Sequence, residues 1–204
     1  MSAARPLSAP PDPAEIDHFV YLRVGWDDYE RLLAMRGESS VPRITYLNGV
    51  VELMSPSSYH ELDKKRFARL LEAWSETADV QLEGYGSWTL TDEQEDCGSE
   101  ADECYTVNRL ASGDQDRPDV AIEVVWTSGG IDKLEVYRKL GVREVWFYER
   151  GSLRFFALRA TKSYVETPLS EIIPQLPRDL LLTCMREPDQ TSALRALRAG
   201  LRNT

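Results

Sequence analysis

Residues 117–148 read RPDVAIEVVWTSGGIDKLEVYRKLGVREVWFY, and this stretch decides the fold. After Pro118 the run Val120, Ala121, Ile122, Val124, Val125, Trp126 is apolar on both faces, as expected of a strand covered on both sides. Thr127 to Gly130 break it. Residues 132–140 follow, with Leu134, Tyr137 and Leu140 on one helical face. Gly141 suits the position after the helix, where a left-handed backbone costs glycine little. Residues 142–148 form a second apolar strand. The unit therefore predicts strand, helix, strand, with a parallel pair and a crossover. Two residues stand out. Glu123 interrupts the first strand, where a carboxylate is costly to bury without a partner or a cation. Lys133 opens the helix.

Outward from this unit, the clearest local signal is residues 43–54. Asn48-Gly49 separates ITYL from VVELM, and Asn-Gly favours a two-residue hairpin turn. Glu52 is the one charge on the returning strand. Ser58 to Glu61 fit a capping box with Ser58 as N-cap, opening a helix to about residue 76. Its apolar stripe is Leu62, Phe67, Leu70, Leu71 and Trp74. A short helix is expected over residues 26–35, with Leu32, Leu33 and Met35 buried. Residues 80–91 read as an interrupted strand and 101–107 as another, with Asp102 at its start. The acidic run at residues 92–103 reads as a solvated loop. Residues 153–158 return after Arg150-Gly151, prolines punctuate residues 168–177, and residues 191–201 form a terminal helix. The whole predicts one α/β domain, of the α+β kind with a mixed central sheet, over residues 18–185. A proline-rich arm at 1–17 and a helical tail at 186–204 flank it.

Composition narrows the function. The chain has 204 residues and a formal charge of −10. Nucleic-acid surfaces are normally basic, because phosphate neutralisation supplies most of the affinity, so a broad cationic face is not expected. Local basic stretches remain at Lys64, Lys65, Arg66, Arg69 and near Arg195 and Arg198. No apolar run is long enough to span a bilayer, so no membrane role is expected. Three cysteines without a paired spacing, and two histidines, fit a reduced cytoplasmic protein with no zinc site.

Glu52, Asp102, Glu123 and Lys133 form the candidate constellation. If the hairpin and the strands of Asp102 and Glu123 share one sheet, the acids converge. Converging carboxylates repel unless a cation or proton holds them. Oxygen-only ligands suit Mg2+, or Mn2+, which take one or two carboxylates and keep waters. A nearby lysine could hold a water or a phosphate oxygen.

The segments EADECY, RPDVAIEVVW and IDKLEVYRKLGVREVW, with YLNGVVELMSPSSYH earlier, resemble the Uma-two family of restriction-endonuclease-like proteins, a branch of the PD-(D/E)XK nuclease superfamily. The resemblance spans roughly residues 20–185. It implies a restriction-endonuclease-like core with flanking helices and phosphodiester hydrolysis on DNA. Asp102 and Glu123 match metal ligands, joined by the Val124 carbonyl; Glu52 matches an acidic position on the preceding hairpin and is expected as a third metal ligand, and His60 matches a histidine before the first core helix. The superfamily lysine stands two positions after the glutamate, which is Val125 here, so the resemblance moves that role to Lys133. A homodimer is the base-rate expectation, and it fits duplex cleavage, which needs two active sites. The competing expectations are a nuclease fold without turnover that serves binding or assembly, and an RNA or small-molecule hydrolase.

Overall fold

A computed structural model describes residues 16–113, 116–126 and 130–202. The arm expected before residue 16, most of the break at 127–130 and the last two residues lie outside the described residues. The described elements run β1 (His18–Arg23), α1 (Trp26–Arg36), β2 (Arg43–Leu47), β3 (Val50–Ser55), α2 (Ser58–Ala78), β4 (Leu82–Gly84), β5 (Thr89–Asp92) and β6 (Cys97–Glu100). They continue with β7 (Glu103–Val107), β8 (Val120–Val125), α3 (Lys133–Leu140), β9 (Glu144–Glu149), β10 (Ser152–Leu158), β11 (Tyr164–Thr167), α4 (Arg178–Met185) and α5 (Gln190–Leu201). The protein is of the α+β class.

The strands form two sheets. One has five strands in the order β1-β3-β2-β6-β5, and the other six in the order β11-β10-β9-β8-β7-β4. The larger sheet is mixed: β8 and β9 run parallel, with Glu123 opposite Phe147, while its other pairings among the described residues are antiparallel. The strand–helix–strand reading of residues 120–149 therefore holds.

Alternation along β8 explains how that sheet is covered. Val120, Ile122 and Val124 pack with Phe67, Leu71 and Trp74 of α2 and with Leu181 and Leu194 of α4 and α5. Ala121 turns the other way, to Val136, Tyr137 and Leu140 of α3. Complete burial of a side chain such as Phe67 or Leu71 contributes about 1.5–3 kcal/mol. Glu123, two residues after Ala121, falls on the α3 face. In the smaller sheet, Ile44, Tyr46 and Val51 pack on Tyr29 of α1. The alternate residues, Thr45 and Glu52, turn to the opposite face. Gly98 of β6 is required by α1, since a Cβ there would lie 2.1 Å from the Tyr29 hydroxyl.

Several expectations are corrected. The hairpin carrying Glu52 lies in the smaller sheet, not in that of Asp102 and Glu123. Sequence alone cannot show this, because β2 pairs with β6 about fifty residues away. The acidic run is a solvated turn only over residues 93–96: Cys97 to Glu100 is a buried strand that pairs with both β5 and β2. Glu100 survives burial because Arg36, the Ile44 amide and the Thr89 hydroxyl satisfy its carboxylate. The N-cap of α2 is Ser57, whose hydroxyl accepts from the His60 amide, and not Ser58. Met35 is 75% exposed and Leu62 is 42% exposed; Tyr29 is the side chain that α1 buries. No helix among the described residues is long and apolar enough to cross a membrane.

Candidate functional site

The site lies where the inner face of the smaller sheet meets the end of β8. On β7 and β8, Glu103 pairs with Ile122 and Cys104 with Ala121. Asp102 is the bend residue just before β7, and Glu123 follows Ile122 on β8, so this pairing brings the two acids near each other. Asp102 is 1% exposed and Glu123 is 5% exposed.

Asp102 is held firmly. Its Oδ2 accepts from the Val124 amide at 2.6 Å. Its Oδ1 meets the Arg43 guanidinium and His60 Nε2, the latter at 3.0 Å. Arg43 also donates to Glu61 Oε1 at 2.8 Å. The other nitrogen of His60, Nδ1, lies 3.1 Å from Asp17 Oδ2. Asp17 in turn accepts from the Ser57 amide, which ties β1 to the start of α2. Burial works to raise the Asp17 carboxyl, but the bonds from His60 and Ser57 outweigh it and leave the group below its usual value.

Glu123 is fixed from α3. Its Oε1 accepts from the Tyr137 hydroxyl and lies 3.5 Å from Lys133 Nζ. Complete burial, reinforced by the Glu123 charge, pushes the Tyr137 phenol well above its ordinary value, so it stays a donor. Among the described residues, no hydrogen bond is donated to Oε2 of Glu123. The capping of α3 by Asp132 sets this geometry, because Lys133 and Tyr137 then sit one turn apart on the side facing β8. Lys133 Nζ also donates to Thr45 Oγ1 at 2.9 Å and to Ser99 Oγ at 3.2 Å. It thus joins α3 to the smaller sheet.

Glu52 makes a second tie between the sheets. Its Oε2 accepts from the Ile131 amide at 2.8 Å. Gly130 lies against the same oxygen: its backbone has φ +111°, and a Cβ there would stand 2.6 Å from Oε2. Glycine is needed on both counts. Beside Glu52, partial burial and then the carboxylate push the Tyr21 phenol up to about 12. A cavity of about 60 Å³ is lined by Glu52, His60, Glu123, Val124 and Lys133, with Phe19 and Met54 on its apolar side.

The structure thus brings Glu52, Glu123, Lys133 and His60 to one cavity, with Asp102 directly behind His60. Sequence reasoning missed Arg43, Asp17, Tyr137, Thr45 and Ser99. Arg43 carried a readable signal, since it opens a strand that is otherwise apolar. The hydroxyls carried none.

Does this donor set suit a divalent ion? A carboxylate offers about four acceptor positions. Asp102 uses three of them, and Glu123 has Oε2 in hand. Among the described residues no group of three or more His, Cys, Asp or Glu side chains is assembled as a ligand set. Mg2+ tolerates that, because it takes one or two carboxylates and keeps waters, and every donor here is oxygen. The residues fit such an ion on the terms of a sparse, hydrated site.

This is an α+β protein in which Asp102 is bonded to the amide next to Glu123 and a lysine stands beside Glu123. The Uma2 family model, described as "Putative restriction endonuclease", matches residues 26–185, and the chain belongs to that family. A search of curated proteins finds no match. Among solved structures, a putative nuclease belonging to DUF820 from Anabaena variabilis is similar at 13% identity and a TM-score of 0.48, over 83% of this chain and 98% of that one.

Proposed function

We propose that the protein is a metal-dependent endonuclease that hydrolyses DNA phosphodiester bonds, with Asp102 and Glu123 holding Mg2+ or Mn2+. The observation that carries this reading is the meeting of the two acids: Asp102 accepts from the amide of Val124, the residue after Glu123, and Lys133 Nζ lies 3.5 Å from Glu123. Membership of a restriction-endonuclease family supports it.

A bound divalent cation would supply charge to the scissile phosphate and acidity to a water molecule. The chain's own groups do the rest. The Val124 amide, Arg43 and His60 fix Asp102, so its carboxylate is already oriented. Tyr137 does the same for Glu123. Lys133, a compact cation whose donors rest on Thr45, Ser99 and Glu123, would exchange one of these contacts for a phosphate oxygen or the attacking water. Glu52 adds negative charge to the cavity and sets the turn before α3. Phe19, Met54 and Phe147 keep one wall apolar, which strengthens the electrostatic contacts inside. Duplex cleavage would employ two copies, hence a homodimer. A unit spanning residues 18–185 with α5 docked on it, in the cytoplasm, fits the three free, buried cysteines.

The test is a supercoiled-plasmid nicking assay, with Mg2+ or with EDTA, comparing wild type and Glu123→Ala. Metal-dependent nicking lost in the variant is the expected result. Equal nicking by both proteins, or none by either, refutes the reading; the second outcome leaves the nuclease fold acting as a binding or assembly module.

A further inference from the structure

Two aromatic pairs stand around the cavity described above. Tyr59 is stacked on Trp126, with ring centroids 5.6 Å apart and planes 7° from parallel. Phe19 and Tyr21 are also stacked, at 6.4 Å and 9°. All four belong to the site's own framework. Tyr59 precedes His60 and Trp126 follows Val125, and both of those neighbours line the cavity. Phe19 lines it too, and Tyr21 stands across from Glu52 on the neighbouring strand. Tyr59 is 43% exposed and Tyr21 is 50% exposed. Large aromatic rings normally seek burial, since each carries 150–250 Å² of surface. Here Tyr59 and Tyr21 keep much of their surface in solvent while held in stacks beside an acidic, lysine-bearing site.

Resting on the nuclease reading above, we infer that this rim is a stacking platform for unpaired bases, so that the preferred substrate is single-stranded or locally unwound nucleic acid. The charge balance points the same way. A duplex is gripped mainly through phosphate neutralisation along its length, which needs a cationic face. A chain of formal charge −10 is poorly suited to that. Stacking adds about 1–3 kcal/mol per base whatever the base, so it can offset weak phosphate contacts, and it is available only where bases are unpaired. A strand whose bases lie on Tyr59 and Trp126 would bring its backbone past the cavity mouth, toward Lys133 and Glu123. The sugar is not specified by stacking, so DNA and RNA strands are both candidates.

The test is binding without cleavage. In EDTA, fluorescence anisotropy would follow labelled oligothymidylate, oligouridylate and a blunt duplex of equal length. The proteins are wild type, Tyr59→Leu, Trp126→Leu and Trp126→Phe. Either single strand should bind about tenfold or more tightly than the duplex. The leucine variants should lose about tenfold for single strands and little for the duplex, while Trp126→Phe, which keeps an aromatic face, should stay within about threefold of wild type. Tyr59→Leu changes an exposed ring in the first turn of α2, so it carries the test if Trp126→Leu does not fold. Duplex binding as tight as single-strand binding, or leucine variants that bind like wild type, overturns the inference. Single-strand binding that depends on these rings in a protein that never nicks would sink the catalytic reading and leave this one standing. Nicking that is indifferent to both rings would do the reverse.

Discussion

Replacing Lys133 by methionine keeps the length of the side chain and removes its charge. The ammonium lies 3.5 Å from Glu123 Oε1 and is 17% exposed. At an effective dielectric constant of about 20, two unit charges at that distance attract by roughly 5 kcal/mol. Desolvation of both groups offsets more than half of this, and the partial exposure of the lysine weakens it further. The hydroxyls of Thr45 and Ser99 lose a donor, but they stand 3.4 Å apart and can bond each other. A net destabilisation of about 2 kcal/mol follows, nearly all of it from leaving Glu123 without its cation. Urea unfolding is the assay. With a slope of about 2 kcal/mol per molar, the midpoint should fall by roughly 1 M. The discriminating protein is the double variant Lys133→Met with Glu123→Gln. If the pair interacts as the structure implies, the double variant recovers about 1–2 kcal/mol relative to the sum of the singles. Additivity within about 0.5 kcal/mol would refute the reasoning, and with it the placement of Lys133 at the acidic site.

Other outcomes can be stated briefly. Glu144 is fully buried and accepts from the Trp146 indole and from the amides of Glu171 and Ile172. Glu144→Ala should therefore cost about 4 kcal/mol in urea unfolding, because three donors lose their acceptor. Asp17 sits below its ordinary value of 3.8, so its stabilising contribution is complete above about pH 4 and is lost as the pH falls through the lowered folded value. Asp17→Asn should thus be less stable than wild type by about 1 kcal/mol at pH 7, and the two unfolding curves should converge in acid. Burial pushes the Cys97 and Cys104 thiols up to about 12 and raises Cys184 as well. A thiol-specific chromogenic reagent at pH 8 should find none of the three reactive until denaturant is added.

How far the sequence reveals this arrangement depends on the distance between partners. Residues 117–148 announce themselves because the apolar runs, the Asp132 cap and Gly141 are local signals that agree with the tertiary result. The hairpin at Asn48-Gly49 is equally plain. β6 was hidden, since Glu100 looks like surface until Arg36, Thr89 and the Ile44 amide are seen around it. Glu52 and Glu123 could be singled out as charges inside strands, but not that they belong to different sheets, because that division depends on β2 meeting β6. Arg43 and Tyr137 act on the acids from residues remote in the chain or one helix away. No periodicity announces such contacts.

The route of the chain between its two sheets has one more consequence. After building three strands of the smaller sheet, it places β4 on the far margin of the larger one, returns for β5 and β6, and then completes the larger sheet. Neither sheet is therefore a contiguous piece of polypeptide. A fragment ending after β6 would carry β4 with no neighbour to pair with. A fragment starting at β7 would expose the surface that α2 covers. Recombination with a relative would have to exchange the entire body at once, and chemical unfolding should proceed as a single event.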